Sequence, residues 1–193
     1  TSIDTWTASF EPVSDAAELK ALRTASAADG SVYVSSTYNK AFTFAGKEVA
    51  DPEGLTSACI AKYNGNGEEQ WAVTMEGGAL VYALDTDEDG TLYAAGNFMD
   101  AVKYTGTDGT TGELAGGADV YTAFVAKISK DGAIEGIKTF APVVNSAIME
   151  SFMYFPEPGY VYVTPNNIKI DGEKVYVSAT YTADVEELGW KAT

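Results

Sequence analysis

The chain has 193 residues, 46% of them hydrophobic, and a formal net charge of −16 from 28 acidic residues against 12 basic ones. That length holds one domain with a substantial core, and the apolar fraction excludes a disordered chain. The negative field repels phosphate backbones and anionic headgroups, which disfavours nucleic acid and membrane surfaces as partners.

Histidine is absent, which removes Ser-His-Asp and Cys-His nucleophilic machinery and the commonest zinc and non-haem iron ligand sets. The lone cysteine, Cys59, has no internal disulfide partner and reads as a small buried hydrophobe. No apolar run reaches the roughly 18 residues that a membrane-spanning helix needs. No catalytic residue, metal or cofactor is expected from these features.

Taken in chain order, the sequence repeats itself. Thr5-Trp6-Thr7-Ala8-Ser9-Phe10 aligns with Gln70-Trp71-Ala72-Val73-Thr74-Met75, so the chain is expected to enter on the last strand of a unit. Unit one, approximately 11–75, predicts strands at Leu22–Ala25, Ser31–Tyr38, Ser57–Asn64 and Trp71–Met75, with turns at Asp29-Gly30 and Asn66-Gly67. Unit two, 76–140, predicts Leu80–Asp85, Thr91–Phe98, Thr122–Ser129 and a last strand ending at Phe140, turning at Asp89-Gly90 and Asp131-Gly132. Between its second and third strands, the stretch Gly106–Gly117 lacks phosphate-loop spacing and reads as a flexible hairpin tip. A partial unit, 166–193, carries Asp171-Gly172 and Val175-Tyr176-Val177.

The self-similarity is close at residue level. Asp29-Gly30-Ser31-Val32-Tyr33-Val34 returns 60 residues later as Asp89-Gly90-Thr91-Leu92-Tyr93-Ala94, and Cys59-Ile60-Ala61-Lys62-Tyr63 recurs as Phe124-Val125-Ala126-Lys127-Ile128. Alternation within these strands is apolar on both faces: Val32 and Val34 oppose Tyr33, and Leu92 and Ala94 oppose Tyr93. Small residues follow at Ser35-Ser36, Ala95-Gly96 and Ser178-Ala179, as a crowded inner strand requires. The expected fold is all-β: β-propeller-type blades of four-stranded antiparallel sheets, two full repeats plus partial units at each end. They form a single repeat domain over 1–193, expected to be part of a longer propeller because such units need neighbours on both sides.

The pattern Asp-Gly-x-x-Tyr-x-x-Gly, then Gly-Gly-x-Asp, then Phe-Val-Ala-Lys, then a turn glycine, resembles the bacterial SBBP-type β-propeller repeat. Unit two carries it through Asp89, Gly90, Tyr93, Gly96, Gly116, Gly117, Asp119, Phe124, Val125, Ala126, Lys127 and Gly132. Unit one keeps Asp29, Gly30, Tyr33, Ala61, Lys62, Gly67 and Trp71, has Ser36 in place of the glycine, and lacks the Gly-Gly-x-Asp element. The likeness covers about two-thirds of the chain. It implies a secreted or surface-anchored bacterial protein, many of the family being lipoproteins, whose propeller binds rather than catalyses. An accessory role in an outer-membrane glycan or peptide uptake complex is the implied setting. Its partner would be a cell-surface protein or an extracellular glycan or peptide, with the membrane reached only through a lipid anchor upstream. The matched positions are structural and bring no catalytic residues.

Three places invite a site. Asp85-Thr86-Asp87-Glu88-Asp89-Gly90 opens like a calcium loop, but its twelfth position is Gly96 rather than a bidentate glutamate. The equivalent turn in unit one keeps one acid, so an acidic solvated hairpin is the better account. The period breaks before Ile168: Gly172 lies 32 residues after Phe140, whereas Gly90 lies 15 after Met75. The resulting insertion, 146–165, holds Phe152, Tyr154, Phe155, Tyr160 and Tyr162. Two readings stand for it: a hairpin over 160–164 packed on the blade beneath, or aromatics that stack on sugar rings or anchor a protein. It is the first choice for ligand or partner contact. The acid pairs Glu68-Glu69 and Glu186-Glu187 suggest the rival reading, a carboxylate-based polysaccharide lyase or hydrolase. Adjacent strand residues face opposite ways, which makes them poor catalytic pairs.

Overall fold

The computed structural model describes residues 11–12, 19–52, 57–117, 119–144 and 161–192. The fold is all-β, with several antiparallel sheets and no α-helix among the described residues. None of those residues belongs to a helix long and apolar enough to cross a membrane.

Unit one is an antiparallel meander of β2 (Leu19–Ser26), β3 (Val32–Tyr38), β6 (Ser57–Tyr63) and β7 (Glu69–Glu76). Unit two repeats it with β8 (Leu80–Thr86), β9 (Leu92–Phe98), β12 (Val120–Ile128) and β13 (Ile134–Phe140). A third hairpin, β14 (Val161–Asp171) and β15 (Lys174–Tyr181), follows. The Asp-Gly signals close the hairpins as expected. Gly30 and Gly90 sit at φ 84° and 83°, where an L side chain would be strained. Asp29 accepts the Ser31 N–H at 2.8 Å, and Asp87 accepts the N–H groups of Asp89 and Thr91 at 3.1 and 2.8 Å.

Register irregularities repeat with the units. The first two strands of each are out of step between Ala21/Arg23, Val81/Ala83 and Pro165/Asn167. The last two slip between Lys62/Tyr63 and Lys127/Ile128. Bulges add local twist, and here they lie opposite the small residues Ser35-Ser36, Ala95-Gly96 and Ser178-Ala179. Gly96 shows why smallness is required. A Cβ there would run into the Leu80 carbonyl oxygen and lie 2.8 Å from the Phe124 ring.

Two further hairpins depart from the sequence expectation. β4 (Phe42–Phe44) with β5 (Lys47–Val49), and β10 (Ala101–Thr105) with β11 (Thr111–Ala115), leave their own unit between its second and third strands. Each reaches back to a strand that precedes its own meander. β10 pairs with β7 through Lys103↔Glu76, Tyr104↔Met75 and Thr105↔Thr74, and β4 pairs with β1 (Glu11–Pro12) through Thr43↔Glu11 and Phe42↔Pro12. After β15, the Val143 N–H donates to the Asp184 carbonyl at 2.7 Å in the same sense. The flexible tip expected over Gly106–Gly117 is therefore corrected. Only Gly106–Thr110 is turn, and Thr111–Ala115 is strand, held because fully buried Val102 anchors the hairpin in the core. The four-strand meander of unit one becomes a six-stranded sheet in the order β11-β10-β7-β6-β3-β2.

The second and third strands of each meander are buried on both faces. The largest core lies between units one and two, where Tyr33, Ile60, Trp71 and Val73 meet Leu92, Phe98, Phe124 and Ile128. On the far face of unit one, Cys59, Ala61 and Tyr63 pack under Phe42 and Phe44 of the β4–β5 hairpin. On the far face of unit two, Ala83 and Ala95 meet Ile168 and Ile170, and Ala123 meets Val163 and Val185. Burying each large apolar side chain stabilises by about 1.5–3 kcal/mol, which makes the inter-unit core the dominant favourable contribution. Gly96→Ala is expected to lower stability by about 1–3 kcal/mol in chemical denaturation through overpacking. Gly136→Ala, where a Cβ meets nothing within 4 Å, should stay within about 0.5 kcal/mol of the parent. Equal effects would refute the close-approach argument.

Candidate functional site

The strand directions sort the chain into two ends. The Asp-Gly turns at Gly30, Gly90, Gly132 and Gly172 gather at one end, and β8, β12 and β14 all begin at the other. β14 pairs with the start of β12 in parallel, through Val120↔Val161 and Tyr121↔Tyr162, beyond the point where β13 stops. Val161 and Val163 are each 1% exposed, which pins this stretch to unit two. Thr164 Oγ1 accepts a 2.8 Å hydrogen bond from Asn97 Nδ2. The insertion expected over 146–165 is corrected at its end: 161–165 is strand, so the third hairpin begins at Val161 rather than near 166.

Of the aromatic candidates, Phe152, Tyr154, Phe155 and Tyr160 lie outside the described residues. Tyr162 is half-buried, and its backbone is clamped by Thr182: its N–H donates to Thr182 Oγ1 at 3.0 Å and its carbonyl accepts the Thr182 N–H at 3.1 Å. The pairing puts Tyr162 beside half-buried Tyr121. Tyr82, at the β8 bulge, belongs to the same end. Burial pushes its phenol pKa up, the Tyr121 phenol adds to that, and the Arg23 guanidinium opposes it. Arg23 is exposed, with Nη1 donating to its neighbour's carbonyl, Leu22 O, at 2.7 Å. Tyr82, Tyr121, Tyr162 and Arg23 thus share one end of the molecule. Tyr82, Tyr121 and Arg23 were missed in the sequence; the only available signal was a tyrosine at the start of each of three strands.

The opposite end is occupied by its own turns. Tyr33 Oη donates to the Gly90 carbonyl at 2.9 Å, and Lys62 Nζ and Trp71 Nε1 both donate to the Lys130 carbonyl at 2.9 Å. Lys62 lies 5.4 Å from the Tyr33 ring centroid, and that ring is 5.7 Å from Trp71. Burial is the main cause that raises the Tyr33 phenol to about 12, so it stays a donor. These repeat-motif residues hold one unit to the next.

Several of the acids are engaged structurally. Asp85 accepts the Ile170 N–H at 2.8 Å and pairs with Lys169 Nζ at 3.0 Å, while Asp87 closes its own turn. Asp85, Asp87 and Asp89 do not converge, and no group of three or more acidic or cysteine side chains among the described residues is placed to hold a metal ion. Glu69 Oε2 accepts the Ala45 N–H and Glu68 Oε2 accepts from Asn64 Nδ2, both at 2.6 Å. Every described carboxyl with a displaced proton affinity is displaced downward. Asp29 and Asp108 are lowered by backbone N–H groups of Ser31 and Thr110, and Asp184 by Lys191. For Asp85, burial alone would raise the value, but Ile170 N–H and Lys169 outweigh it. A glycosidase general acid needs the opposite displacement. Cys59 is fully buried and its thiol is pushed up to about 12 by that burial, as an inert core side chain would be.

No known protein-family model matches the chain, and no curated protein matches it.

Because Asp85 is held below its ordinary value in the folded state, its stabilisation is fully present above the unfolded-state value of 3.8. That stabilisation is lost as pH falls through the folded value. Stability should therefore decline on acidification below about pH 4, and Asp85→Asn should flatten that acid limb. Indistinguishable acid limbs in parallel urea titrations would show that Asp85 does not link the third hairpin to unit two.

Proposed function

We propose that the chain is a β-propeller-type repeat domain of the SBBP kind, acting as a non-catalytic binding module that takes a neutral extracellular glycan at its tyrosine-bearing end. The observation that carries this is the grouping of half-buried Tyr82, Tyr121 and Tyr162 with the exposed guanidinium of Arg23. Half-buried phenols give rigid apolar faces for sugar rings and hydroxyls at their rims, and a guanidinium donates to ring hydroxyls. The net charge of −16 favours an uncharged glycan over an anionic one. The blade reading draws support from the twice-repeated meander, its repeated bulges and the burial of both sheet faces. A cell-surface address, a lipid anchor and a role beside an outer-membrane importer rest on the sequence resemblance alone.

The carboxylate lyase or hydrolase reading has less behind it, because the displaced carboxyls are lowered and engaged in turns and ion pairs. The test is calorimetric binding of neutral oligosaccharides to the parent chain, Tyr121→Ala and Tyr162→Ala, with release of reducing ends followed in the same samples. Each substitution should weaken binding about tenfold, equivalent to about 1.4 kcal/mol, with Tm retained and no reducing ends released. Absence of glycan binding by the parent, or variants that bind as it does, would overturn the reading.

A further inference from the structure

The geometry points to a separate ligand site on unit one: we infer that the groove between the β4–β5 hairpin and β7 takes a short free peptide. That peptide is extended, about three or four residues long, and carries a branched aliphatic side chain at its middle. The groove has a volume of about 330 Å³ and follows β7 from Gln70 to Glu76, with Phe44, Val49, Ala72 and Thr74 among its lining. Both walls are pinned. The Ala45 N–H donates to Glu69 Oε2 at 2.6 Å, which fixes the tip of the β4–β5 hairpin at the start of β7. On the other side, the Thr107 N–H and Oγ1 donate to the carbonyls of Gly132 and Asp131 at 3.1 and 2.7 Å. A groove fixed in advance has little ordering left to lose when it is filled.

Comparison of the two units shows why the groove is open. The pair Ala61↔Ala72 of unit one corresponds to Ala126↔Ile137 of unit two, and Phe42↔Val49 corresponds to Val102↔Leu114. Ile137 and Leu114 pack against the inter-unit core, so unit two fills this space with its own side chains. Ala72 and Val49 are smaller, and the groove lies over them. The repeat thus meets this place with side chains rather than with another stretch of chain. β5 and its counterpart β11 each end their sheet among the described residues. What unit one lacks is branched aliphatic volume, and a ligand that supplies it gains the burial that Ile137 and Leu114 have.

The charges set the length and direction of the ligand. Lys47 pairs with Phe44, whose ring lies 5.3 Å from Tyr63 beside the start of β7. Val49 pairs with Phe42, whose ring lies 5.3 Å from Tyr38, level with the end of β7 where Glu76 stands. Gln70 to Glu76 covers about 20 Å at a rise of about 3.3 Å per residue, and an extended peptide of three or four residues covers about 10–13 Å. The side chains of Lys47 and Glu76 make up the difference. The ammonium end belongs at Glu76 and the carboxylate end at Lys47, by charge complementarity. Lys103 stands opposite Glu76 in the β7–β10 pairing, and the ammonium competes with it for that carboxylate. This direction is antiparallel to β5, whose residues 47–50 line the groove consecutively and present the strand's edge to it. The site does not rest on the glycan reading, since it uses a different surface and a different ligand.

Alanyl-isoleucyl-alanine is titrated into the full chain by isothermal calorimetry, beside trialanine and the amidated and N-acetylated forms of the isoleucine peptide. Saturable one-to-one binding is expected for the free isoleucine peptide, with trialanine and each blocked form weaker by about tenfold or more. Ala72→Ile gives unit one the side chain of unit two, so it should retain the parent Tm and abolish binding. Lys47→Ala should bind the free and amidated peptides equally, whereas the parent distinguishes them. No saturable binding, equal binding of trialanine, or unchanged binding by a folded Ala72→Ile variant overturns the inference. If Ala72→Ile does not fold, the amidation comparison decides: a loss on amidation as large in Lys47→Ala as in the parent overturns the inference by itself.

Discussion

A sheet that is apolar on both faces has no stable existence alone, and everything else in this structure follows from how its neighbours are held. Tyr33, Lys62 and Trp71 project from unit one and donate to two backbone carbonyls of unit two, Gly90 O and Lys130 O. Both acceptors sit in tight turns, where no strand partner is available to satisfy them. The apolar core between the units supplies the larger energy, but it is non-directional. Three donors aimed at two fixed carbonyls give the stacking its register, because a displaced unit would leave buried polar groups unpaired.

Closer packing at one side of the stack is handled by geometry rather than by chemistry. The bulges at Leu22, Tyr82 and Asn166 bend the first strand of each unit against small residues on the second, and at Gly96 no Cβ is tolerated. Elsewhere the chain reinforces the stack by sending β4–β5 and β10–β11 back to strands that precede their own meanders, β1 and β7. Unit two is thus tied backward by the pairing of β10 with β7, and unit one forward by its donors Tyr33, Lys62 and Trp71. That double tie is a nearest-neighbour arrangement, in which stability is set mainly at the interfaces.

What was legible in the sequence was whatever is decided locally. Asp-Gly dipeptides between alternating segments located the meander hairpins, and most strands fall within a residue or two of expectation, β8 at Leu80–Thr86 and β12 at Val120–Ile128 among them. Cys59 was legible as core from its place in the repeat column. The back-reaching hairpins were not, because Phe42-Thr43-Phe44 is too short to announce a strand and its partner, Glu11–Pro12, lies far upstream in the chain. The tyrosine grouping was hidden for a related reason. Tyr82 sits on a bulge, where period-two reasoning assigns the wrong face, and Tyr121 meets Tyr162 through a parallel pairing that joins residues 41 apart in sequence. Both depend on register across units, which no single-strand pattern encodes.

The two ends of the molecule diverge because the repeat motif spends its polar groups at only one of them. Asp29, Asp87, Lys62 and Trp71 are all committed to turns and to the neighbouring unit, so the Asp-Gly end has little left to offer a ligand where the units are stacked. At the other end the strands begin, the motif imposes no polar pairing, and the sequence is free to differ from unit to unit. The equivalents of Tyr82 in units one and three are Leu22 and Asn166. A scaffold requirement would hold such a position constant across units. Its variation, at the end where Tyr121 and Tyr162 also lie, agrees with the recognition proposed for that end.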